Sequence, residues 1–293
     1  MHLIVGAGAV GSATASLLAS SGQKVRLVTR SGSGPQHVNI ERVAADASDS
    51  PALRELAAGA SVVYNCANPA YHEWPAVWPP LASSILGAAL SADAVLAITG
   101  NLYGYGPVDR PMTEDMPLNP PSVKGKVRVR MWQDALASGV RVFEARASDY
   151  ISPRYSMLEM ALPAMRAGKT ARLPVPLDLP HSFTYTGDVA RTLVTLAGDS
   201  RAWGHAWHVP TAPPMTVREL LARVARVAGL PAPRLAKFPD LLVRAAGMWD
   251  KFAREFAEMS YQWKRPFELD SSRVTAAFGL RHTDVDEAIR ASL

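Results

Sequence analysis

The feature that most constrains the fold is a glycine-rich turn near the start of the chain. A short, mostly apolar segment, residues 1–5, runs into Gly-Ala-Gly-Ala-Val-Gly at residues 6–11, and residues 12–19 favour a helix. In such a unit the first glycine makes the tight turn, the second lets a pyrophosphate approach the backbone, and the third packs helix against strand. The pattern predicts a dinucleotide site at the helix N-terminus, formed by Gly6, Gly8, Ala9, Val10 and Gly11.

The end of the second predicted strand, residues 24–29, bears on which dinucleotide is bound. An NAD site usually has Asp or Glu there, about 20 residues past the glycines, to bind the ribose 2′-hydroxyl. Here the strand is followed by Arg30 and Ser31, without a carboxylate. A guanidinium offers a planar fork of donors that suits the 2′-phosphate of NADP, although arginines at strand ends are also often simply solvated. We therefore predict NADP as the cofactor, with NAD as the less favoured alternative.

Strand and helix signals alternate up to about residue 150. Further strands are predicted at residues 37–43, 60–65, 94–99 and 140–146, and helices at residues 51–58, 80–90 and 126–138. This alternation is typical of an α/β fold with a Rossmann-type doubly wound parallel sheet. Proline-rich loops and helices then indicate a smaller, irregular C-terminal part. We predict an NADP-binding domain at 1–150, to which 181–209 return, and a substrate-binding part at 151–180 and 210–293.

Composition and charge exclude several classes of function. The 293 residues carry a net charge of +5, but the basic residues are scattered, so we expect no nucleic-acid partner. Cys66 is the single cysteine and the seven histidines lack zinc spacing, so neither disulfides nor a metal site are expected. With no apolar run of transmembrane length and no signal-peptide pattern, we expect a cytoplasmic protein without a membrane partner.

Further segments follow in an order that is typical of one superfamily. They are Asp46-Ala-Ser-Asp49, Asn65-Cys-Ala-Asn68, Thr99-Gly-Asn-Leu-Tyr103-Gly104, Arg146-Ala-Ser-Asp-Tyr-Ile-Ser-Pro153 and Phe183-Thr-Tyr-Thr-Gly-Asp188. With the glycine-rich turn, they resemble the extended branch of the short-chain dehydrogenase/reductase superfamily, the NAD(P)-dependent epimerase/dehydratase and reductase group. The branch usually spaces its glycines Gly-x-x-Gly-x-x-Gly, whereas the first gap here is shorter.

The resemblance implies roles for individual residues. Asp46 and Ala47 would hold the adenine, although Asp46 is also a common turn former. Ala67 and Asn68 would line the ribose and pyrophosphate, and the loop that contains Ser148 and Tyr150 would run beside the nicotinamide. Thr99 would hydrogen-bond the substrate oxygen, or simply end its strand. Because the helices at 80–90 and 126–138 correspond to ones that often pair across a two-fold axis in this branch, the resemblance also implies a possible homodimer.

The Tyr-x-x-x-Lys dyad of the family is absent. In the family, Tyr exchanges a proton with substrate while Lys lowers its pKa and binds the nicotinamide ribose. Anchoring on Gly125 puts Lys124 at the Tyr position and Arg128 at the Lys position. Three interpretations follow: Lys124 is the acid/base, with a pKa lowered by burial and by a neighbouring cation such as Lys126 or Arg128; Tyr103 or Tyr105 substitutes; or no proton-transfer group exists. The first interpretation, with Lys124 as acid/base, resembles the atypical isoflavone-reductase-like members of the superfamily, which use a lysine.

An aromatic segment after Asn68 bears on the substrate. Tyr71, His72 and Trp74 follow the carboxyl edge of the sheet, where substrates bind, and with Tyr150 they are candidate substrate-binding residues. The tryptophans at 74 and 78 are equally compatible with a core position. An apolar stripe at residues 249, 252, 256 and 259 also favours a substrate with an apolar portion.

Together these features predict an NADP-dependent oxidoreductase, or an epimerase working by transient oxidation, acting on a small carbonyl or alcohol compound. The alternative is a non-catalytic NADP-binding sensor or regulatory protein with the same fold.

Overall fold

The computed structural model describes residues 1–154, 156–239 and 251–293, and the side chains of all of these except 251–253. The strands are β1 His2–Val5, β2 Val25–Thr29, β3 Ile40–Ala44, β4 Val62–Asn65, β5 Val95–Asn101, β6 Val142–Ala147, β7 Asp149–Ile151, β8 Ala171–Leu173, β9 Phe183–Tyr185, β10 Ala206–His208 and β11 Leu235–Lys237. The helices are α1 Ala9–Ser20, α2 Ser50–Ala57, α3 Trp74–Ser91, α4 Val123–Ala137, α5 Met157–Arg166, α6 Thr186–Ala197, α7 Val217–Val227, α8 Lys251–Met259, α9 Ser272–Phe278 and α10 Val285–Arg290.

Seven strands form one parallel sheet in the order β10-β6-β5-β4-β1-β2-β3. Read from β3, this is the Rossmann order 3-2-1-4-5-6 with β10 added at the edge. The strand order reverses between β1 and β4, so that the carboxyl ends of these two strands flank a crevice. The predicted fold class is confirmed.

Helices cover both faces of the sheet, as an all-parallel sheet requires. On one face α2, α3 and α4 bury a cluster that includes Trp74 and Trp78. On the other face α1 and α6 pack against β1, β5 and β6 around residues such as Phe143 and Leu193. The strands between them are almost entirely buried, so the sheet is a rigid platform for the loops at its carboxyl edge.

The smaller part has a core of its own. Helices α5, α7 and α10 bury Leu158, Leu221 and Ile289 together with the short β8, which pairs with β11. Residues 181–209, which were predicted to return to the NADP-binding domain, contain β9, α6 and β10. β9 pairs with β7 in a separate two-stranded sheet, whereas α6 packs on α1 and β10 joins the main sheet. The division of the chain into two domains stays a prediction.

Some element boundaries differ from the predictions. The third strand begins at Ile40 rather than at residue 37. The helix predicted at 80–90 begins six residues earlier, at Trp74, after a 3₁₀ turn at Tyr71–Glu73. Pro79 and Pro80 lack the N–H groups that an interior helical position needs. Burial of Trp74 and Trp78, four residues apart on one helix face, compensates for those missing bonds.

Candidate active site

The glycine-rich turn leaves open space at one position. Gly6 has φ +99°, and a Cβ there would lie 2.6 Å from the Cys66 carbonyl oxygen. A Cβ on Gly11 would lie 2.0 Å from the Gly6 carbonyl oxygen, so α1 packs against the turn only because this residue is glycine. Gly8, the N-cap of α1, has nothing within 4 Å of its hypothetical Cβ. Free N–H groups of α1, from Ala9 onward, therefore face a space that suits a pyrophosphate.

The adenine end of this crevice is open and polar. Arg30 and Ser31 are exposed directly after β2, and Asp46 is exposed after the neighbouring β3. The N–H and hydroxyl groups of Ser48 donate to Asp46 Oδ1, at 2.9 and 2.7 Å, and these bonds lower the pKa of the Asp46 carboxyl, with a smaller contribution from Arg30. Asp46 thus forms a turn at this edge of the sheet, while Ala47 is buried.

Two buried polar atoms fit the ribose on the nicotinamide side. Within residues 1–154, 156–239 and 251–293, Arg128 Nε and Ser148 Oγ are buried without a hydrogen-bond partner. Leaving such groups unpaired is costly, and ribose hydroxyls would satisfy both. Ala67 and Asn68 follow β4 at the same sheet edge, half-buried and exposed respectively. The residues present therefore fit a dinucleotide along the crevice, with Gly8 at the pyrophosphate.

Arg128 is held beneath the site rather than in solvent. Its Nη2 donates to the Thr99 carbonyl oxygen, and its guanidinium carbon lies 5.8 and 5.2 Å from the ring centroids of Trp74 and Trp78. Burial lowers the pKa of the guanidinium, which Glu144 partly offsets. Thr99 itself turns its hydroxyl toward Cys66 Sγ, at 3.4 Å.

Lys124 is buried at the centre of this region. It lies in the first turn of α4, which begins earlier than predicted because Ser122 caps it by accepting a hydrogen bond from the Gly125 N–H. A Cβ on Gly125 would lie 2.6 Å from the Tyr103 carbonyl oxygen, so this glycine lets α4 approach the Tyr103 loop closely. Lys124 is 1% exposed, and its Nζ lies 5.4 Å from the centroid of the Tyr71 ring.

The partners of the Lys124 ammonium are two carboxylates. Nζ donates to Glu255 and Glu258 of α8, whereas Lys126 is exposed to solvent. The sequence suggested a neighbouring cation beside Lys124, but the atoms that contact Nζ are acidic. The Lys124 ammonium is therefore held by hydrogen bonds to two carboxylates.

Tyr71, Trp74 and Tyr103 form an aromatic group next to Lys124. The hydroxyls of Tyr71 and Tyr103 are hydrogen-bonded, and the Tyr71 ring stacks on Trp74 with centroids 5.1 Å apart. Burial raises the pKa of Tyr71 to about 12 and that of Tyr103 well above its usual value. Both hydroxyls therefore remain protonated at neutral pH. Trp74 is 3% exposed, so Tyr71 rather than Trp74 presents the accessible surface.

The other candidates are dispersed. His72 is exposed, with Nε2 4.0 Å from Glu73, and points to no residue of the aromatic group. Burial raises the pKa of Tyr150, which interacts electrostatically with Arg128 and Tyr71. Tyr105 is separate from the site: its hydroxyl contacts Arg146 and His208 at 2.8 Å each.

Several residues of the site were not predicted from the sequence. Besides Glu255 and Glu258, they include Asp149, whose Oδ2 lies 2.7 Å from His181 Nε2. The His181 ring stacks on Trp263 at 3.8 Å, and Asp149 acts electrostatically on Tyr71 and Tyr103. The three-residue spacing of the two glutamates was a usable signal for a shared helix face, but nothing in it indicated Lys124. Of the predicted apolar stripe, residue 249 and the side chain of residue 252 lie outside the described part.

Neither a metal site nor a membrane span is seen in what the structure describes. No cluster of three His, Cys, Asp or Glu side chains there is able to hold a metal ion. In the same ranges no helix is both long and apolar enough to cross a membrane.

Comparison with known proteins identifies the class of this fold and site. Residues 2–208 match the model of the NAD dependent epimerase/dehydratase family. No curated protein matches the sequence significantly. Among solved structures, the enzyme WbmH of Bordetella bronchiseptica in complex with NAD+ is similar over 99% of this chain and 96% of its own, with 21% identity and a TM-score of 0.79.

Two further solved structures have the same fold. UDP-glucose 4-epimerase of Thermotoga maritima, solved with UDP-glucose, is 14% identical with a TM-score of 0.80, covering 100% of this chain and 97% of its own. DesIV, a dTDP-glucose 4,6-dehydratase of Streptomyces venezuelae solved with NAD, is 19% identical with a TM-score of 0.76, covering 100% and 95%.

The match to the family model defines the class of the protein, an enzyme of the type that uses a nicotinamide dinucleotide. The chain belongs to the NAD dependent epimerase/dehydratase family, because the family model covers most of its length.

Proposed function

We propose that the protein is an NADP-dependent oxidoreductase, or an epimerase working by transient oxidation, in which Lys124 replaces the family tyrosine as acid/base. One observation carries this proposal: Lys124, at the tyrosine position, is 1% exposed and lies against Tyr71 next to Tyr103. A lysine without a task at a helix start is normally solvated, since burying an ammonium is costly.

The chain's own residues would share the work as follows. Gly8 and the N-terminus of α1 hold the pyrophosphate, while Arg128 and Ser148 hold the nicotinamide ribose. When bound, the nicotinamide exchanges a hydride with a carbon of the substrate. Lys124 exchanges the proton at the substrate oxygen, and Thr99 or Tyr103 donates a second hydrogen bond to that oxygen.

The substrate proposed is a small carbonyl or alcohol compound with an apolar portion. Tyr71, resting on Trp74, offers it an aromatic surface, and Tyr150 lies within electrostatic range. Two of the structural neighbours are named for sugar nucleotides, UDP-glucose and dTDP-glucose. The aromatic surface of Tyr71, which stacks on Trp74, favours a substrate with an apolar portion over such a ligand.

NADP is proposed over NAD because of Arg30. This arginine is exposed at the end of β2, where a carboxylate for the ribose 2′-hydroxyl would otherwise stand. The contribution of Arg30 to the lowered pKa of Asp46 puts its charge near the adenine end of the crevice.

The proposal is tested by following NADPH oxidation with a panel of aryl and alkyl carbonyl compounds. Lys124→Met keeps the bulk but removes the titrating group, so turnover should fall by about 10²–10⁴ while NADPH affinity is kept. Lys126→Met, which changes an exposed neighbour, is the matched control and should leave turnover unchanged. Turnover by Lys124→Met close to that of the unmutated protein would exclude the lysine. Binding of NADPH without oxidation by any carbonyl would favour a sensor or regulatory protein.

A further inference from the structure

Burial of Lys124 poses an energetic problem that α4 makes worse. An ammonium removed from water needs a compensating charge, and Lys124 is 1% exposed. The residue also lies in the first turn of α4, where the partial positive charge of the helix N-terminus repels a cation. Carboxylates in contact with Lys124 therefore offset both costs.

Two glutamates of the C-terminal part meet this need. Glu255 and Glu258 lie three residues apart on α8, so they share one helix face, and both accept hydrogen bonds from Lys124 Nζ. They are 22% and 26% exposed, so solvent protons reach them. Glu258 Oε1 also accepts from the backbone N–H groups of Val123 and Lys124, the latter at 3.3 Å, and so caps α4.

The same part of the chain closes over the aromatic group. Tyr261, in the 3₁₀ turn that follows α8, has its hydroxyl 3.4 Å from the Tyr103 carbonyl oxygen. Besides the two glutamates, the Lys124 ammonium faces the Tyr71 ring. The side chains that meet here thus come from four separate segments: Tyr71 from the 3₁₀ turn before α3, Tyr103 from the loop after β5, Lys124 from α4, and the two glutamates from α8.

We propose that Glu255 and Glu258 are positioning residues that hold the Lys124 ammonium beside Tyr71 and Tyr103, where it donates a proton to the substrate oxygen. This inference rests on the proposed function of Lys124 and concerns carbonyl reduction, the direction in which Lys124 is the acid. The carbonyl carbon accepts a hydride supplied by the dihydronicotinamide, the π electrons move to oxygen, and that oxygen takes a proton from Lys124 Nζ. Solvent then returns a proton to the amine past the two carboxylates.

The first test measures the chemical reactivity of Lys124 and needs no substrate. The full-length protein is treated with a trace of acetic anhydride, and acetylation is followed by peptide mass spectrometry. Only a neutral, accessible amine reacts, so Lys124 should be acetylated at least about 10-fold more slowly than exposed Lys126 in the unmutated protein. In Glu255→Gln and Glu258→Gln the rate at Lys124 should rise severalfold, and in the double variant by about 10-fold, with Lys126 unchanged.

A matched control separates positioning from a general loss of stability. Glu219 caps α7 as Glu258 caps α4, because its carboxylate accepts from the Thr216 N–H at 2.7 Å, and it lies in the small part of the chain away from Lys124. Glu219→Gln should leave the acetylation of Lys124 unchanged. Equal rates at Lys124 and Lys126 in the unmutated protein would overturn the inference, as would protection of Lys124 that persists in the double variant.

Kinetics give the second readout. Glu255→Gln and Glu258→Gln should each lower kcat for carbonyl reduction by about 10-fold, a part of the proton-transfer contribution, with KM little changed. A rise in KM at constant kcat would overturn the positioning role. Failure of the proposed function is a different result: Lys124→Met would then turn over normally, whatever the acetylation rates show.

Discussion

The two halves of the candidate site are built in different ways. The pyrophosphate end of the cofactor half consists of backbone, and its three glycines lie within six consecutive residues, Gly6 to Gly11, between β1 and α1. The catalytic half consists of side chains from distant segments, and Lys124 is separated from Glu255 and Glu258 by 131 and 134 residues. The first half depends on a local turn, whereas the second depends on the packing of the C-terminal part against the sheet edge.

This difference predicts separable effects of mutation. Changes in the glycine-rich turn should damage folding and cofactor binding together, since the turn is part of the contact between α1 and β1. Changes around Lys124 should lower turnover while the cofactor remains bound. The predictions below test that separation, beginning with the largest expected effect.

Gly11→Ala should have the largest effect on the fold. The added Cβ would lie 2.0 Å from the Gly6 carbonyl oxygen, and the helix has to move away from the turn to relieve the clash. We expect a loss of about 3 kcal/mol in the free energy of unfolding, measured by urea denaturation, together with loss of cofactor binding. Gly8→Ala is the matched control: its Cβ meets nothing, so the protein should fold but bind the dinucleotide more weakly. Equal stability of the two variants would contradict this account.

The reactivity of Cys66 tests whether the glycine-rich turn stays packed against this residue in solution. Burial raises the pKa of the Cys66 thiol to about 11, so its thiolate is about 100-fold rarer near pH 8 than that of an ordinary cysteine. We expect alkylation by iodoacetamide to be slow at pH 8, to accelerate as the pH rises toward 11, and to become fast in urea. Rapid alkylation of the native protein at pH 7 would show that the turn opens.

Arg30→Ala examines the cofactor choice. If the guanidinium binds the 2′-phosphate, the substitution should weaken NADPH binding by about 1.5–3 kcal/mol, the range for hydrogen bonds to charged groups, and leave NADH nearly unaffected. Isothermal titration calorimetry measures both affinities. Arg130→Ala, an exposed arginine of α4 paired with Asp134, serves as the control. Equal affinities of the unmutated protein for NADH and NADPH would refute the preference for NADP.

The smallest effect is expected at the tyrosine pair. Tyr71→Phe and Tyr103→Phe each remove one hydroxyl of the same hydrogen bond. If the pair only supports the site around Lys124, both substitutions should lower turnover by about 3- to 10-fold, as the loss of one hydrogen bond does. A loss of about 10² or more in Tyr103→Phe alone would instead make Tyr103 the acid/base.

The contrast between the two halves of the site also explains which features could be predicted from the sequence. The parallel sheet, the tight turn at Gly6 and the close packing at Gly11 were predicted because periodicity and turn chemistry are local. The start of α3 was wrong because Pro79 and Pro80 argue against a helix, while burial of Trp74 and Trp78, a tertiary effect, outweighs them.

In the catalytic half, the sequence predicted Lys124, Thr99 and Tyr103 as candidates but missed the carboxylates that contact Lys124. Lys124 was found by anchoring on Gly125, the residue that allows α4 to approach Tyr103 closely. The carboxylates that contact Lys124 were not found, because spacing along α8 shows which residues share a face but not what that face meets. The same applies to Asp149 and His181, whose contact joins β7 to the segment before β9.

The central claim is that Lys124 takes the place of the family tyrosine at the substrate oxygen. The most direct measurement is a crystal structure with NADP+ and an unreactive alcohol or carbonyl ligand. The account predicts Lys124 Nζ within about 3 Å of the ligand oxygen, on the nicotinamide side of the site, with Glu255 and Glu258 still contacting it. An ammonium directed to bulk solvent, with a tyrosine hydroxyl on the ligand oxygen instead, would contradict it.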